Sequence, residues 1–185
     1  ALCSVGAHEC IHYSFFSPSD LDLLRLPEDA PERHAIRIMN PISEELSLMR
    51  TTLAASMINA VIRNQKKGNL EGRLFEVAKK FIPKELPLVE YPDERQTLCV
   101  ATFGTKEDFF TMKGIAEKVA EVLHVEFTYA NTTNTFLHPF QTASISCNGE
   151  EIGYFGKLAY DIADECDLRT PMFLMEIDLE VLAKY

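Results

Sequence analysis

The chain has 185 residues, of which 46% are hydrophobic and 25% are charged, and its formal net charge is -10 at pH 7. This length favours a single domain, residues 1-185, with room for a sizeable core, and the apolar content excludes intrinsic disorder. No apolar run approaches the roughly 20 residues that span a bilayer, so no membrane contact is expected. Phosphate binding needs clustered Lys and Arg, so the acidic balance argues against a main nucleic-acid surface.

The cysteines indicate the cell compartment, and the first residues bear on whether the chain is a piece of a longer protein. The five cysteines are scattered and form no C-x-x-C pair: Cys3, Cys10, Cys99, Cys147 and Cys166. This pattern predicts free thiols in a reducing compartment, and therefore a cytoplasmic protein. The chain starts at Ala1 with no recognisable signal peptide and no initiator Met. That start fits a piece of a longer chain, although trimming in the cell would look the same.

Short elements are predicted before the first long helix. Ile11 to Phe16 is β-branched and aromatic, which predicts a strand, and Ser17-Pro18-Ser19-Asp20 indicates a helix start with a serine cap. A polar, Pro-bearing loop follows at Pro27 to Arg33. Ile36 to Met39 is predicted to be a short strand that ends at Asn40-Pro41.

One apolar stripe at helical spacing predicts the next helix. The stripe consists of Leu53, Ala54, Met57, Ile58, Val61 and Ile62. A strand is expected at Leu74 to Phe81, followed by a long irregular surface connection, because three prolines lie between positions 83 and 92. Apolar strand residues resume at Leu98 to Phe103. Thr105 and Asp108 have the spacing of a capping box at the start of another amphipathic helix.

The last third predicts strands around one clear hairpin. Val125 to Tyr129 and residues 143–147 are strand candidates, and Asn148-Gly149 favours a type I′ turn. The return strand is expected at Glu151 to Leu158, a short helix at 159–166, and a final strand at 173–179. Strands mixed with helices and an antiparallel hairpin predict the α+β class: an antiparallel sheet flanked by helices.

Two groups of residues could bind a metal, each with a simpler interpretation. Four potential zinc ligands lie near the start, but their spacing is wrong for a finger: Cys3, His8, Cys10 and His12. Cys10 and His12 would share a strand face, although incidental ligands on an ordinary strand are commoner. Glu176 and Asp178 share a face of the final strand and could hold Mg²⁺ or act as acid and base. Charged residues on a solvent-exposed face are the commoner case.

Other motifs indicate no chemistry of their own. The glycines of the hairpin lack the strand–loop–helix context of a phosphate loop, and His138 has no visible nucleophilic partner, so a structural hydrogen bond is expected there. The basic residues Arg63, Lys66, Lys67 and Arg73 are expected to mark a solvated helix end, and direct contact with nucleic acid is the alternative. The acidic residues between 161 and 167 fit a solvated helix face. The residues alone therefore indicate no catalytic, cofactor or metal site.

Four segments, in order, resemble the beta chain of bacterial-type phenylalanyl-tRNA synthetase. Asn40 to Leu53 reads N-P-I-S-E-E-L-S-L-M-R-T-T-L and is similar to the family pattern N-P-[LI]-S-x-E-x-S-x-M-R-x-S-L. Arg73 to Val77 resembles its R-L-F-E-[IV] strand, and Asp108 to Gly114 resembles its D-F-F-D-L-K-G helix start. The fourth segment is discontinuous: it runs from Leu137 to Gly153, then includes Asp167-Leu168 and Phe173 to Leu182, and it follows the family's hairpin and final strand. The chain departs from the pattern at Ala54-Ala55-Ser56, at Phe140-Gln141 and at residues 156–160.

The resemblance implies a core domain within a longer beta chain, with the antiparallel fold of class II synthetases. The family enzyme is an α2β2 assembly that charges tRNA(Phe) with phenylalanine, using ATP and Mg²⁺, and adenylation lies in its alpha subunit. An active class II site carries a Gly-rich segment ending in Arg at the final strand, and residues 175–179 contain neither Gly nor Arg. No catalytic residue of the family carries over, and no cofactor is expected in this piece.

The leading hypothesis is a non-catalytic domain that supports assembly with the alpha subunit. Met57 and Val61 are predicted to contribute to a contact with another subunit, although the domain's own core is the favoured place for most of the stripe. Two alternatives stay open: a catalytically active class II ligase, and a stand-alone binding module with a synthetase-like fold.

Overall fold

The computed structural model describes residues 1–184 and is built on one seven-stranded sheet and a small two-stranded sheet. The strands are β1 (His8–Glu9), β2 (Phe15–Phe16), β3 (Leu48–Met49), β4 (Gly72–Ile82), β5 (Asp93–Phe103), β6 (Phe127–Asn131), β7 (Leu137–Cys147), β8 (Glu150–Leu158) and β9 (Met172–Asp178). The helices are α1 (Pro18–Leu23), α2 (Ala54–Lys66), α3 (Phe109–Leu123), α4 (Tyr160–Glu165) and α5 (Leu179–Leu182). The predicted α+β class with an antiparallel sheet and flanking helices is confirmed.

The large sheet has the strand order β1-β4-β5-β9-β8-β7-β6, which places β9 at its centre. Neighbouring strands are antiparallel except for β1, which pairs in parallel with β4. The second sheet consists of β2 and β3 alone. Every residue of β9 is buried, because strands cover both of its edges and helices cover both faces of the sheet.

Two hydrophobic layers sandwich the sheet, and the alternation of side chains along each strand divides residues between them. On one face, Leu98 and Val100 of β5 belong to the core that contains α3. On the other face, Cys99 and Ala101 of the same strand pack into the core that contains α2. The candidate functional site lies on the α2 face of the sheet.

Local sequence signals explain where the helices begin. The predicted serine cap of α1 is confirmed and is Ser17, which also forms a capping box with Asp20. The capping box predicted at Thr105 is wrong: Asp108 itself is the N-cap of α3 and accepts a hydrogen bond of 2.6 Å from the Thr111 backbone N–H. In residues 1–184, no helix combines the length and apolar character needed to cross a membrane.

The largest correction concerns the connection that contains the three prolines. β4 and β5 form a regular hairpin paired from Gly72↔Phe103 to Ile82↔Asp93, so only residues 83–92 are a loop. The predicted strand at Ile11 to Phe16 shrinks to β2, and the strand at Ile36 to Met39 is an isolated bridge at Arg37. These segments run outside the large sheet, where little pairing is available to them.

Gly153 on β8 provides a test of the sheet packing, because β8 and β9 approach too closely there for a side chain. A Cβ added at Gly153 would lie 2.0 Å from the backbone oxygen of Glu176. We expect Gly153→Ala to lower the free energy of unfolding by about 3 kcal/mol, as overpacking does. The matched control is Gly114→Ala in α3, where a Cβ meets nothing within 4 Å. It should raise stability by about 0.5–1 kcal/mol. Urea unfolding of both variants is the measurement, and a neutral Gly153→Ala would contradict this sheet packing.

Candidate functional site

The carboxylate of Glu176 joins the central strand to the start of α2. Its Oε2 accepts hydrogen bonds of 2.7 Å from Thr52 Oγ1 and 3.1 Å from the Leu53 backbone N–H. Thr52 Oγ1 in turn accepts a hydrogen bond of 3.1 Å from the Ala54 backbone N–H. A buried carboxylate is thus paired with helix N-terminal N–H groups that would otherwise lack acceptors.

The second carboxylate of β9, Asp178, lies in the same charged group. Lys80 on β4 places its Nζ 3.7 Å from Glu176 Oε1 and 3.8 Å from Asp178 Oδ2. Arg95 Nη1 lies 3.3 Å from Asp178 Oδ2, and Asp178 Oδ1 accepts the Glu180 N–H that begins α5. Lys80 therefore lies between the two carboxylates of β9, while Arg95 is shared between Asp178 and Asp93, whose Oδ2 lies 2.6 Å from Arg95 Nε.

A third carboxylate, Glu76 on β4, is held by Arg50 and His12. Arg50 Nη1 donates to Glu76 Oε1 at 3.0 Å, and both side chains are 3% exposed. His12 Nδ1 donates to Glu76 Oε2 at 2.6 Å. Burial alone would raise the pKa of Glu76, but the His12 hydrogen bond and the Arg50 charge outweigh it and hold this pKa below its ordinary value of 4.5. Glu76 is therefore ionised in the folded protein at neutral pH.

The expectation that Glu176 and Asp178 lie on a solvent-exposed strand face is wrong. Their exposed fractions are 5% and 8%, because β9 is the central strand and α2 covers the face that carries them. Their partners on α2, β4 and β5 supply the charge and the hydrogen bonds that burial removes.

Beside these charges lies a cavity of about 500 Å³. Its wall includes three carboxylates (Asp29, Glu32 and Glu176) and one cation, Lys80. Burial, followed by the charge of Glu176, raises the pKa of Tyr154 in the same wall well above its usual value. The cavity therefore presents an excess of negative charge and a phenol that stays protonated at neutral pH.

The four potential zinc ligands do not converge. Cys3 and His8 are exposed, whereas Cys10 Sγ lies 3.3 Å from the Phe75 backbone oxygen and His12 binds Glu76. Within residues 1–184, no group of three or more His, Cys, Asp or Glu side chains is arranged to hold a metal ion.

Met57 and Val61 have no exposed surface and lie in the core between α2 and the sheet. A contribution of these two residues to a subunit contact stays a prediction, and it would have to act through the position of α2 rather than by direct contact.

The predicted basic residues and His138 lie at the following places. Arg63, Lys66 and Lys67 are exposed at the end of α2, while Arg73 pairs with Glu107 at 2.9 Å. His138 makes the structural hydrogen bond that was expected, accepting from the Phe140 N–H.

Sequence reasoning missed most of the charged network. Glu76 and Lys80 are four residues apart on a strand, so they share its α2 face, and Arg50-Thr51-Thr52 directly precedes the apolar stripe of α2. Charges at alternating positions of an otherwise apolar strand were the available signal. The sequence did not predict that β9 is the central strand of the sheet. This central position brings all these side chains together.

The fold identifies the class of protein. Two solved structures of pyrrolysyl-tRNA synthetase from Desulfitobacterium hafniense superpose with TM-scores of 0.72 and 0.73, at 17% and 15% sequence identity. Each match covers 98% of this chain, and 64% and 61% of those chains. At this identity the likeness concerns the fold alone, and it is the fold of a class II synthetase-like domain.

Sequence comparison gives the family. Residues 1–179 match the family model of the phenylalanyl tRNA synthetase beta chain CLM domain, so the chain belongs to that family. The phenylalanine–tRNA ligase beta subunits of Clostridium tetani and Clostridium acetobutylicum are 37% and 36% identical over 99% and 98% of this chain. In both cases the chain spans 23% of the relative's length.

Removal of the Glu176 carboxylate tests its role at the centre of the fold. Glu176→Ala leaves the Leu53 N–H at the N-cap of α2 and the Thr52 hydroxyl without their acceptor, and Lys80 with one carboxylate fewer. We expect a loss of about 3–5 kcal/mol in unfolding free energy. Glu94→Ala is the matched control, because Glu94 also pairs with a lysine, at 2.8 Å, but on the surface. It should change stability little. Equal losses in chemical denaturation would contradict a structural role for Glu176.

The pH dependence of stability tests the Glu76 site. A carboxylate whose pKa is lower in the folded protein than in the unfolded chain stabilises the folded state at pH values above its pKa in the unfolded chain. This contribution to stability is lost as the pH falls through the pKa that the group has in the folded protein. Stability should therefore decline as pH drops below about 4.5. Glu76→Gln should be less stable at pH 7, because Arg50 loses its counter-charge, but its stability should fall less steeply between about pH 5 and pH 3. Parallel stability curves from urea titrations would contradict this assignment.

Proposed function

We propose that this chain is the non-catalytic, synthetase-like core of a phenylalanine–tRNA ligase beta subunit, and that it supports assembly of an α2β2 enzyme. The observation that carries the proposal is the family match, which spans residues 1–179. A domain that belongs to a beta chain implies a second kind of subunit as its partner. The cavity chemistry supports the absence of catalysis, as follows.

The cavity residues do not fit a nucleoside triphosphate. Asp29, Glu32 and Glu176 put three carboxylates in the wall, and the lysine of the wall is already shared between Glu176 and Asp178. Stabilising the negative charge of reacting phosphates requires cations or N–H groups directed at them. At the final strand, where an active class II site carries an arginine, this chain directs a carboxylate into the cavity.

The remaining parts of the reaction are proposed for the whole enzyme. Adenylation with ATP and Mg²⁺ belongs to the alpha subunit, and tRNA(Phe) is bound by the assembled ligase. No cofactor is proposed for this domain, and the assembly is proposed to work in the cytoplasm.

Titration calorimetry and light scattering test the proposal together. We expect no heat of binding when ATP with Mg²⁺ is titrated into this chain, because the cavity repels phosphate. We expect a stable complex when the chain is mixed with the alpha subunit and the mixture is separated by size-exclusion chromatography with light scattering.

Each result separates the proposal from an alternative. Saturable ATP binding would favour an active class II ligase. Failure to bind the alpha subunit, with a well-folded monomer in circular dichroism, would favour a stand-alone binding module. Both outcomes contradict the proposed assembly domain.

A further inference from the structure

The cavity of about 500 Å³ beside Glu176 has an unused hydrogen-bond acceptor in its wall. Glu176 is only 5% exposed, and its Oε2 accepts both hydrogen bonds from the start of α2. Within residues 1–184 its Oε1 accepts no hydrogen bond, and Lys80 Nζ lies 3.7 Å from it, beyond hydrogen-bond distance. A buried carboxylate oxygen without a donor attracts a cationic N–H group strongly.

Two further carboxylates of the wall are also unpaired. Asp29 and Glu32 lie on the segment between α1 and β3, and both are more exposed than Glu176, so they lie at the open side of the cavity. In the described part of the chain, 1–184, neither side chain forms an ion pair or a hydrogen bond. Three carboxylates and one lysine leave an excess of two negative charges in the wall, and this lysine, Lys80, is also shared with Asp178 outside it. The charge of the wall therefore matches a ligand with two positive charges.

A single metal ion does not suit this arrangement. A divalent metal ion needs several oxygen ligands around one point. Among residues 1–184, no three His, Cys, Asp or Glu side chains are grouped in that way. Carboxylates at separate places in one cavity suit a molecule that carries its positive charges on separate atoms.

The rest of the wall fits an apolar chain between those charges. Leu24, Leu26 and Ile82 supply aliphatic surface. Phe136 and Tyr154 form an edge-to-face pair with their ring centroids 5.8 Å apart. Aromatic rings attract ammonium groups through their faces and shield hydrocarbon from water. An apolar wall with a few polar groups is the usual composition of a small-molecule site.

We propose that this cavity binds a small aliphatic diamine in its doubly protonated form, a proposal that does not depend on the assembly role proposed above. One ammonium group donates to Glu176 Oε1 beside the ring of Tyr154, and the other pairs with Asp29 and Glu32 at the open side. The hydrocarbon chain between them packs against Phe136 and the aliphatic wall. The charges that repel a nucleoside triphosphate are the ones that hold this ligand.

Titration of this chain with putrescine, followed by heteronuclear NMR, tests the proposal, with butylamine and Mg²⁺ as comparison ligands. The open-side variant is Asp29→Asn/Glu32→Gln, which keeps the shape of both side chains. The matched control is Asp161→Asn/Asp164→Asn, which removes the same charge from exposed positions of α4. Glu176→Gln tests the buried end of the site, and circular dichroism reports whether each variant folds.

We expect putrescine to bind the unaltered chain saturably and to shift the amide resonances of Thr52 and Phe136, which lie in the wall. Butylamine should bind at least about tenfold more weakly, because it lacks the second charge that makes the other contact intramolecular. The open-side variant should lose a similar factor, while the control binds putrescine as the unaltered chain does.

Equal weakening in the open-side variant and the control would show attraction by net charge alone and would overturn the cavity assignment. Resonance shifts confined to residues outside the wall would overturn it as well, and so would displacement of putrescine by an equal concentration of Mg²⁺. If Glu176→Gln fails to fold, the open-side variant decides the test. None of these results bears on ATP binding or on assembly with the alpha subunit, so the proposed function is tested separately.

Discussion

The carboxylate of Glu176 is the constraint on which the arrangement of sheet and helices depends. It projects from the central strand and is only 5% exposed, and a buried unpaired charge would be strongly destabilising. Thr52 and the Leu53 N–H satisfy it, so the start of α2 can occupy only one position above the sheet. Lys80 and Arg95 then balance the charge across β4, β5 and β9. The orientation of α2 therefore follows from a polar contact, and its apolar residues complete the packing.

Because α2 is fixed at its first turn, its two sides have different roles. Met57 and Val61 face the sheet and are fully buried, whereas Ser56, Asn59 and Arg63 are partly or fully exposed and line a groove of about 600 Å³. The hydrophobic spacing in the sequence identifies the buried side of the helix correctly. This explains why the residues chosen from hydrophobic spacing lie in the core.

The features that the sequence predicted well are local ones. The α3 helix and the turn at Asn148-Gly149 depend on neighbouring residues, and both are present in the structure. The β4–β5 hairpin was missed because its loop at 83–92 contains three prolines, and eleven paired residues on each side outweigh that local signal. The burial of Glu176 was missed because it depends on strand order, which joins β9 to β5 and β8 from distant parts of the chain.

The charged network also distinguishes this sheet face from a phosphate-binding site. A site built to hold phosphates collects cations, which repel one another until the ligand arrives. Here Arg50 pairs with Glu76, and Lys80 is shared between Glu176 and Asp178, so each buried carboxylate of this face has a cation beside it within the domain. Buried pairs of this kind add little net stability compared with apolar packing, but they are strongly destabilising when one partner is removed.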